Sequence, residues 1–239
     1  MATTRAELIK RVALKMDEVS PDVSVADLTV DASDGNPLYT LIDGLIDGGA
    51  LELFSVAPYW RLKQTTFRSA DIDLESVGIA RTVADGSTTI SARKIIRLRV
   101  PDDFLRVAEI DHTSFQRPIT EVFEEVSEMG KRQHNPFLMG KEAKPVGVMS
   151  HGLWGSTQCR EIDCYSVASS VTTTDGVTAT YIPKPAVISD DAPAVTVEDA
   201  IPEVLIPALE WLIAARTFGA RGDANHAAIC QQNAQNLLV

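Results

Sequence analysis

The segment ISARKIIRLRVPDDFLRVAEI, residues 90–110, decides the fold because apolar and charged side chains alternate along its first half. Alternation with a period of two is typical of a strand that buries one face. The apolar side chains are predicted to share one face and the arginines the other. The apolar set is Ile90, Ala92, Ile96, Leu98 and Val100, and the arginines are Arg93, Arg97 and Arg99. The sequence therefore predicts a half-buried strand with an outer row of cations.

Further strands are predicted on the C-terminal side of this segment. After a turn at Pro101-Asp102-Asp103, the predicted strands are 105–110, 146–150, 158–168 and 177–182. Asp85-Gly86 and Asp175-Gly176 are typical two-residue turns, so each predicts a hairpin. The second hairpin would pair the last two of these strands. Residues 120–134 are compatible with a helix.

Both ends of the chain have helical periodicity. Thr4 and Glu7 have the spacing of a capping box, and Asn36-Pro37 predicts the start of a second helix. Three glycines in that helix, Gly44, Gly48 and Gly49, predict a kink or close packing against a neighbour. A helical hairpin follows at the C-terminus, with its first helix at about residues 202–218, interrupted or kinked at Pro207.

These patterns predict an α+β fold with helices at both ends and a β-rich insertion between them. The N- and C-terminal helices are expected to pack together as a helical bundle, because a lone helix pair buries too little apolar surface. The predicted domains are a helical domain, residues 1–70 with 200–239, and a β-rich domain, residues 71–199.

Composition and charge exclude several classes of protein. The chain has 239 residues, 45% of them hydrophobic, and a formal net charge of −11. Tight nucleic-acid binding normally needs a basic face, which this chain lacks. The sequence contains no apolar run of membrane-spanning length and no signal-peptide pattern, so we expect neither a membrane partner nor export.

Motifs that carry chemistry are absent from the sequence. His151, Cys159 and Cys164 are the candidate metal cluster, yet they fit no recurrent zinc spacing, and ordinary packing is the better interpretation. Neither a nucleophile elbow nor a phosphate loop is present. We therefore predict no catalytic, cofactor-binding or metal-binding residues. The enzymatic alternative is a small hydrolase, which would require Asp102, His112 and His151 to converge.

The order of segments resembles the head–tail connector proteins of tailed bacteriophages. The similarity lies in two N-terminal helices, the second ending in Ala57-Pro58, and in VPDDFLR at residues 100–106. It continues in QRPI at 116–119, in YIPKP at 181–185 and in the Ala-rich helical pair after Ile201-Pro202-Glu203. The KMDE sequence at residues 15–18 resembles the ring proteins of crAss-like, short-tailed phages.

This resemblance implies a non-enzymatic structural protein of the virion. It implies a ring of about twelve copies beneath the portal protein, joining the capsid to the tail or to a further ring protein. The genome would pass through the ring without specific binding, since acidic walls repel phosphates. Assembly would occur in the host cytoplasm. Another neck or tail-hub protein of the same particle is the structural alternative.

Two sets of residues are expected to form interfaces. Arg93, Arg97 and Arg99 would meet an acidic surface of a neighbouring subunit or partner, although an exposed sheet face explains the same row. Leu237, Leu238 and Val239 end the chain with an apolar tail, and we expect this end to dock on the portal.

Overall fold

The computed structural model describes residues 3–16, 37–77, 81–82, 89–90, 93–135, 138, 140–154, 156–167, 170–191 and 193–238. Some of the sequence features named above lie outside these described residues: Asp17 and Glu18 of the KMDE segment, Asn36, Asp85-Gly86, Ala92 and Val239.

Six α-helices are present in the described part of the chain. In chain order they are α1 (Arg5–Lys15), α2 (Pro37–Val56), α3 (Glu128–Arg132), α4 (Val197–Ala200), α5 (Ile206–Ala220) and α6 (Ala224–Leu238). Helix α1 begins as the capping spacing predicts, because the Thr4 hydroxyl accepts a hydrogen bond from the Glu7 N–H at 3.1 Å. Pro207 lies in the first turn of α5 and starts that helix rather than interrupting it.

The chain divides into two compact units, and the first is helical. It combines both ends of the chain, Met1–Lys63 and Lys184–Val239, and contains every helix except α3. Within it α5 contacts α1, α2 and α6. Helix α5 is buried on several sides, as expected of a helix that is apolar around most of its circumference. Its buried residues are Ile206, Ala208, Leu209, Glu210, Leu212, Ile213, Ala214 and Thr217.

The prediction of a helical bundle is wrong. The described residues form an α+β fold. In it α1, α2 and α6 each contact α5, and the described helices do not show the packing of a helical bundle. The physical reason is the unequal burial of the two C-terminal helices. Helix α6 buries only Cys230, Ala234 and Leu238, so it covers one side of α5.

Close packing explains two of the glycines in α2. A Cβ at Gly49 would lie 2.8 Å from the Ile213 Cγ1 of α5, and a Cβ at Gly48 would lie 2.7 Å from the Arg216 Nη1. The helix runs without a break through both positions. The prediction of close packing is therefore confirmed, and the absent side chains let α2 and α5 approach each other.

The second unit, Gln64–Pro183, contains the strands. In chain order they are β1 (Thr65–Thr66), β2 (Ile72–Val77), β3 (Arg81–Thr82), β4 (Thr89–Ile90), β5 (Arg93–Arg99), β6 (Phe104–His112), β7 (Val122–Glu124), β8 (Gly147–Trp154), β9 (Thr157–Val167) and β10 (Val177–Pro183). One sheet has the order β1-β10-β6, and a larger sheet has the order β2-β5-β9-β8-β7. Strands β3 and β4 form an antiparallel pair on either side of Asp85-Gly86. Only β7 and β8 pair in parallel among the described strands.

One hydrophobic core joins the two main sheets. Its buried residues come from both, so the sheets pack face to face through it. The five-stranded sheet supplies Ile96, Leu98, Ile162 and Cys164, and the three-stranded sheet supplies Phe104, Val107, Ile110, Ala179 and Tyr181. The predicted inner face of β5 is therefore confirmed at Ile96 and Leu98, whose side chains are fully buried.

Two predictions within this unit are wrong. Strands β9 and β10 do not pair across Asp175-Gly176, because β9 lies between β5 and β8 whereas β10 lies between β1 and β6. Gly176 has a φ of 80°, so the turn itself is present, but it leads the chain from one sheet to the other. Residues 120–134 form strand β7 and the short helix α3 rather than one helix, because β7 pairs with β8.

Candidate interaction surfaces

The predicted arginine row lies on β5, between β2 and β9 in the five-stranded sheet. In the antiparallel register Arg97 is paired with Asp163 of β9, and Arg99 is paired with Glu161. Paired residues on neighbouring antiparallel strands point to the same face of the sheet. The two carboxylates therefore share the face of the arginines, opposite the core that the sheets share.

The Arg97 guanidinium binds three carboxylates. Its Nε donates to Asp163 Oδ1 at 2.8 Å and its Nη2 donates to Asp163 Oδ2 at 3.1 Å, which is a bidentate pair. The Nε also lies 3.3 Å from Glu161 Oε2, and Nη1 lies 2.5 Å from Glu75 Oε2. The hydrogen bonds from Arg97 to Asp163, with the nearby carboxylate charges, raise the pKa of Arg97 above its ordinary value despite partial burial.

The two β9 carboxylates of this group are almost fully buried. Glu161 is 2% exposed and Asp163 is 4% exposed. A Cβ at Gly152 of β8 would overlap the Glu161 carboxylate, so the glycine provides the space that this carboxylate occupies. We call the four charged residues Glu75, Arg97, Glu161 and Asp163 the β9 ion cluster. The cluster also affects a neighbouring side chain: burial, together with the charge of Asp163, raises the pKa of Tyr165 to about 12.

The three arginines of the row differ in their surroundings. Arg97 is held within its own sheet by the β9 ion cluster. Arg99 has a side chain that is 41% exposed, with Asp71 at 3.9 Å. Arg93 belongs to β5, but its side chain lies outside the described residues. An interface through this row stays a prediction, and Arg99 is the described member whose side chain reaches solvent most.

The C-terminal end of α6 places its two described apolar residues differently. Leu238 is 8% exposed and packs within the helical unit, whereas Leu237 is 41% exposed. The Leu237 carbonyl accepts a hydrogen bond from Arg61 Nη1 at 2.8 Å. Because Arg61 follows α2 closely, this bond puts the end of α6 beside the end of α2. Docking of this end on a partner stays a prediction.

Sequence reasoning missed an exposed aromatic pair after α2. Tyr59 and Trp60 contact each other edge to face, with ring centroids 5.6 Å apart. Trp60 is 68% exposed, and the nearby Val56 is exposed as well. The signal was present in the sequence, because Tyr59 and Trp60 stand directly after the helix-ending Ala57-Pro58 and before two cations.

The residues of the hydrolase alternative do not converge. Asp102 precedes β6, and His112 is the last residue of that nine-residue strand. A rise of about 3.4 Å per residue separates the two ends of β6 by about 27 Å. His112 is buried, and its Nδ1 accepts hydrogen bonds from the hydroxyl and the N–H of Ser114 at 2.7 and 3.1 Å. Asp102 and His112 therefore do not share one pocket.

The candidate metal cluster is also dispersed. Cys164 is buried in the core between the sheets, where burial raises the pKa of its thiol. Cys159 lies on the opposite face, and its Sγ contacts Glu161 Oε1 at 3.8 Å. This arrangement follows from the alternation of a regular strand. Among the residues that the structure describes, no three His, Cys, Asp or Glu side chains are grouped so that they could hold a metal ion.

A groove of about 570 Å³ lies between α5 and α6, near the end of α1. Its side chains already contact one another or their neighbours. Lys15 Nζ is 4.6 Å from the centre of the Trp211 ring and 2.9 Å from Glu210 Oε2. Phe218 stacks on His226, at 5.2 Å between ring centroids. A second groove, of about 410 Å³, lies in the β-rich unit beside Phe123.

No protein-family model matches this chain, and no curated protein matches it significantly. None of the described helices is both long and apolar enough to cross a membrane.

Proposed function

We propose that this protein is a structural subunit of the head–tail connector of a tailed bacteriophage. In this proposal about twelve copies form a ring beneath the portal protein, and the genome passes through the ring. The subunit works by shape and contacts and forms no covalent bonds. Its place is the head–tail junction of the virion, where it links the portal to tail or further ring proteins.

The observation that carries this proposal is the division of the chain into two units. Both chain ends build the helical unit, and the β-rich unit is inserted between them with a core of its own. A connector subunit must contact neighbours beside it and partners above and below it. Two units with separate cores support this role, because each can present its own contact surface without disturbing the other.

The segments that carry the resemblance stand at structural junctions, which is a second support. VPDDFLR, residues 100–106, joins β5 of the larger sheet to β6 of the smaller sheet. Within it the Asp103 carboxylate accepts a hydrogen bond from the Tyr181 hydroxyl at 3.0 Å. Tyr181 itself begins YIPKP, which ends β10 and returns the chain to the helical unit. The two motifs of the resemblance thus contact each other.

The charge of the chain suits a conduit for nucleic acid. Each copy has a formal net charge of −11. A ring of such copies repels phosphates wherever acidic side chains line its opening, so the genome slides and is not retained. The same charge opposes ring formation, because like-charged subunits repel each other at short range. Specific contacts between copies must offset this repulsion.

The test of the proposal is binding to the portal protein encoded in the same genome. The purified full-length chain is mixed with assembled portal, and the product is imaged by electron microscopy. We expect a ring of added density on one face of the portal. Binding to isolated tail proteins without portal binding would favour the neck or tail-hub alternative, and binding to neither would contradict the proposal.

A matched pair of variants tests the expected role of the C-terminal end. Leu237→Asp changes an exposed side chain at the end of α6, and Ile229→Asp changes an exposed side chain in the first half of the same helix. We expect the first variant to lose portal binding and the second to keep it. Equal binding by both variants would mean that the end of α6 does not dock on the portal.

A further inference from the structure

The helical unit has two surfaces of opposite character. The aromatic end, at the end of α2, is formed by Val56, Tyr59, Trp60, Arg61 and Lys63. The acidic end lies beside the start of α1, where the middle part of α2 contributes two aspartates, and it is formed by Asp43, Asp47, Val187, Asp190 and Asp191. We propose that the aromatic end of one copy docks on the acidic end of the next copy, an inference that rests on the proposed function for its ring geometry.

The acidic end is held together by Arg5. The Arg5 Nε binds Asp43 Oδ1 at 2.6 Å, and its Nη1 lies 3.3 Å from Asp47 Oδ1 and donates to the Ile188 carbonyl at 2.7 Å. The Asp190 carboxylate accepts hydrogen bonds from the first N–H groups of α1. One guanidinium therefore faces two aspartates, and with Asp190 and Asp191 nearby in the sequence this end keeps an excess of negative charge.

The aromatic end has the opposite charge and a larger apolar surface. Residues 57–63 include Arg61 and Lys63 and no carboxylate, whereas residues 185–209 include five acidic residues and no cation. Trp60 is exposed beside Arg61 and Lys63, and tryptophan, tyrosine and arginine are the side chains that most often dominate binding at protein interfaces. The matching apolar side chain at the acidic end is Val187, which is 65% exposed.

The two ends are far enough apart to be used at the same time. At 1.5 Å per residue the helix α2 advances by about 20 Å from Asp43 to Val56 and by about 14 Å from Asp47 to Val56. A copy can therefore accept one neighbour at its acidic end and offer its aromatic end to another. A contact between two different surfaces repeats head to tail, and it closes into a ring when the rotation between copies permits. The opposite charges counter the net repulsion between copies where they meet.

Complementary variants of the full-length chain test this contact. The aromatic-end variant carries Trp60→Ala and Lys63→Glu, and it keeps Arg61 because that side chain binds the Leu237 carbonyl. The acidic-end variant carries Val187→Lys and Asp191→Lys, and it keeps Asp190 because that carboxylate caps α1. Circular dichroism checks the fold of each variant. Leu153→Ala truncates an exposed apolar side chain in the other unit and is the matched control.

Sedimentation velocity measures the association of these proteins without portal. We expect the wild type and the control to form larger species as concentration rises, and each end variant alone to associate at least about tenfold more weakly. Each end variant retains one intact end, so an equal mixture should form dimers and stop there. Recovery of association on mixing the two variants is expected only for a head-to-tail contact, in which two different surfaces bind each other.

Three outcomes would overturn the inference. They are a wild-type chain that stays monomeric at millimolar concentration, a mixture that forms no dimer, and an acidic-end variant that still dimerises alone. The last result would indicate a symmetric contact between two aromatic ends.

Failure of the contact and failure of the proposed function can be told apart. Self-association without portal binding would contradict the proposed function and leave the contact intact. Portal binding by a chain that never self-associates would contradict the contact alone.

Discussion

Replacement of Arg97 by methionine should destabilise the five-stranded sheet strongly. Methionine keeps most of the apolar stem and removes the guanidinium that binds Glu161 and Asp163. Both carboxylates are nearly inaccessible to water, so they would stay buried without a cation. Burying an unpaired charge is among the largest single penalties that a substitution can impose.

The size of the effect follows from the geometry. Removing one partner of a buried ion pair costs about 3–5 kcal/mol, because the remaining charge is left uncompensated. The Arg97 side chain is 22% exposed, so water can partly solvate the space it leaves, and we expect a loss near the lower limit, about 3 kcal/mol. The additional contact with the half-exposed Glu75 contributes less than about 1 kcal/mol.

Hydrogen exchange followed by mass spectrometry measures this loss in the unit where it occurs. The free energy of opening for the slowest amides of β5 and β9 should fall by about 3 kcal/mol. Amides of α5, which belongs to the helical unit, provide the internal reference. The control is Arg99→Met, which removes a more exposed cation from the same strand face and should cost less than about 1 kcal/mol. Equal losses in the two variants would refute a buried role for Arg97.

Two further predictions concern the helical unit. Gly49→Ala should lower the free energy of unfolding by about 1–3 kcal/mol, because the new methyl group would overlap Ile213. Gly44→Ala has open space around the new methyl group and should raise the free energy of unfolding by about 0.5–1 kcal/mol. Urea denaturation of the two variants measures this difference. The hydrogen bond from the Thr3 hydroxyl holds the pKa of Glu198 below its usual range, so the ionised carboxylate stabilises the fold at neutral pH. Glu198→Gln should therefore lower the urea midpoint at neutral pH, and the deficit should vanish as pH falls and the wild-type carboxyl becomes protonated; a deficit that is the same at every pH would contradict this assignment.

The sequence predicted helices best where local signals are strong. Pro37 begins α2, and Thr4 caps α1, because capping and proline geometry depend only on neighbouring residues. The glycines of α2 predict a kink or close packing against a neighbour, but the sequence does not identify that neighbour, because α5, which packs on Gly48 and Gly49, lies far away along the chain. The bundle prediction is wrong for the same reason, since it also required knowledge of which helix covers which. Periodicity shows which side of a helix is apolar, and it does not show which element covers that side.

Strand pairing shows the same limit more sharply. The positions of β6, β8, β9 and β10 follow from alternation and differ from the predicted ranges by a few residues. The pairing partners of these strands do not follow from the sequence, because Asp175-Gly176 forms a turn without forming a hairpin. Strand β10 pairs instead with β6, which precedes it by about seventy residues, with Ala179 opposite Ile110. Turn chemistry is local, whereas the choice of sheet depends on which apolar faces complete one core.

The β9 ion cluster separates the members of the arginine row, which alternation alone treats as a single surface. Alternation assigns Arg97 and Arg99 to one face, and a charged face is normally assigned to solvent. The neighbouring strand changes this, because the carboxylates of Glu161 and Asp163 are buried against Arg97 while Arg99 stays accessible. Charge reversal of the whole row would therefore disrupt the sheet itself, so a failure of the proposed assembly after that change would not show an interface. Neutralisation of Arg99 alone is the informative experiment, because a glutamate at this position would lie opposite the buried Glu161. If the row forms an interface in the proposed ring, Arg99→Gln should weaken assembly on the portal, while the free energy of opening in β5 and β9 falls by less than about 1 kcal/mol.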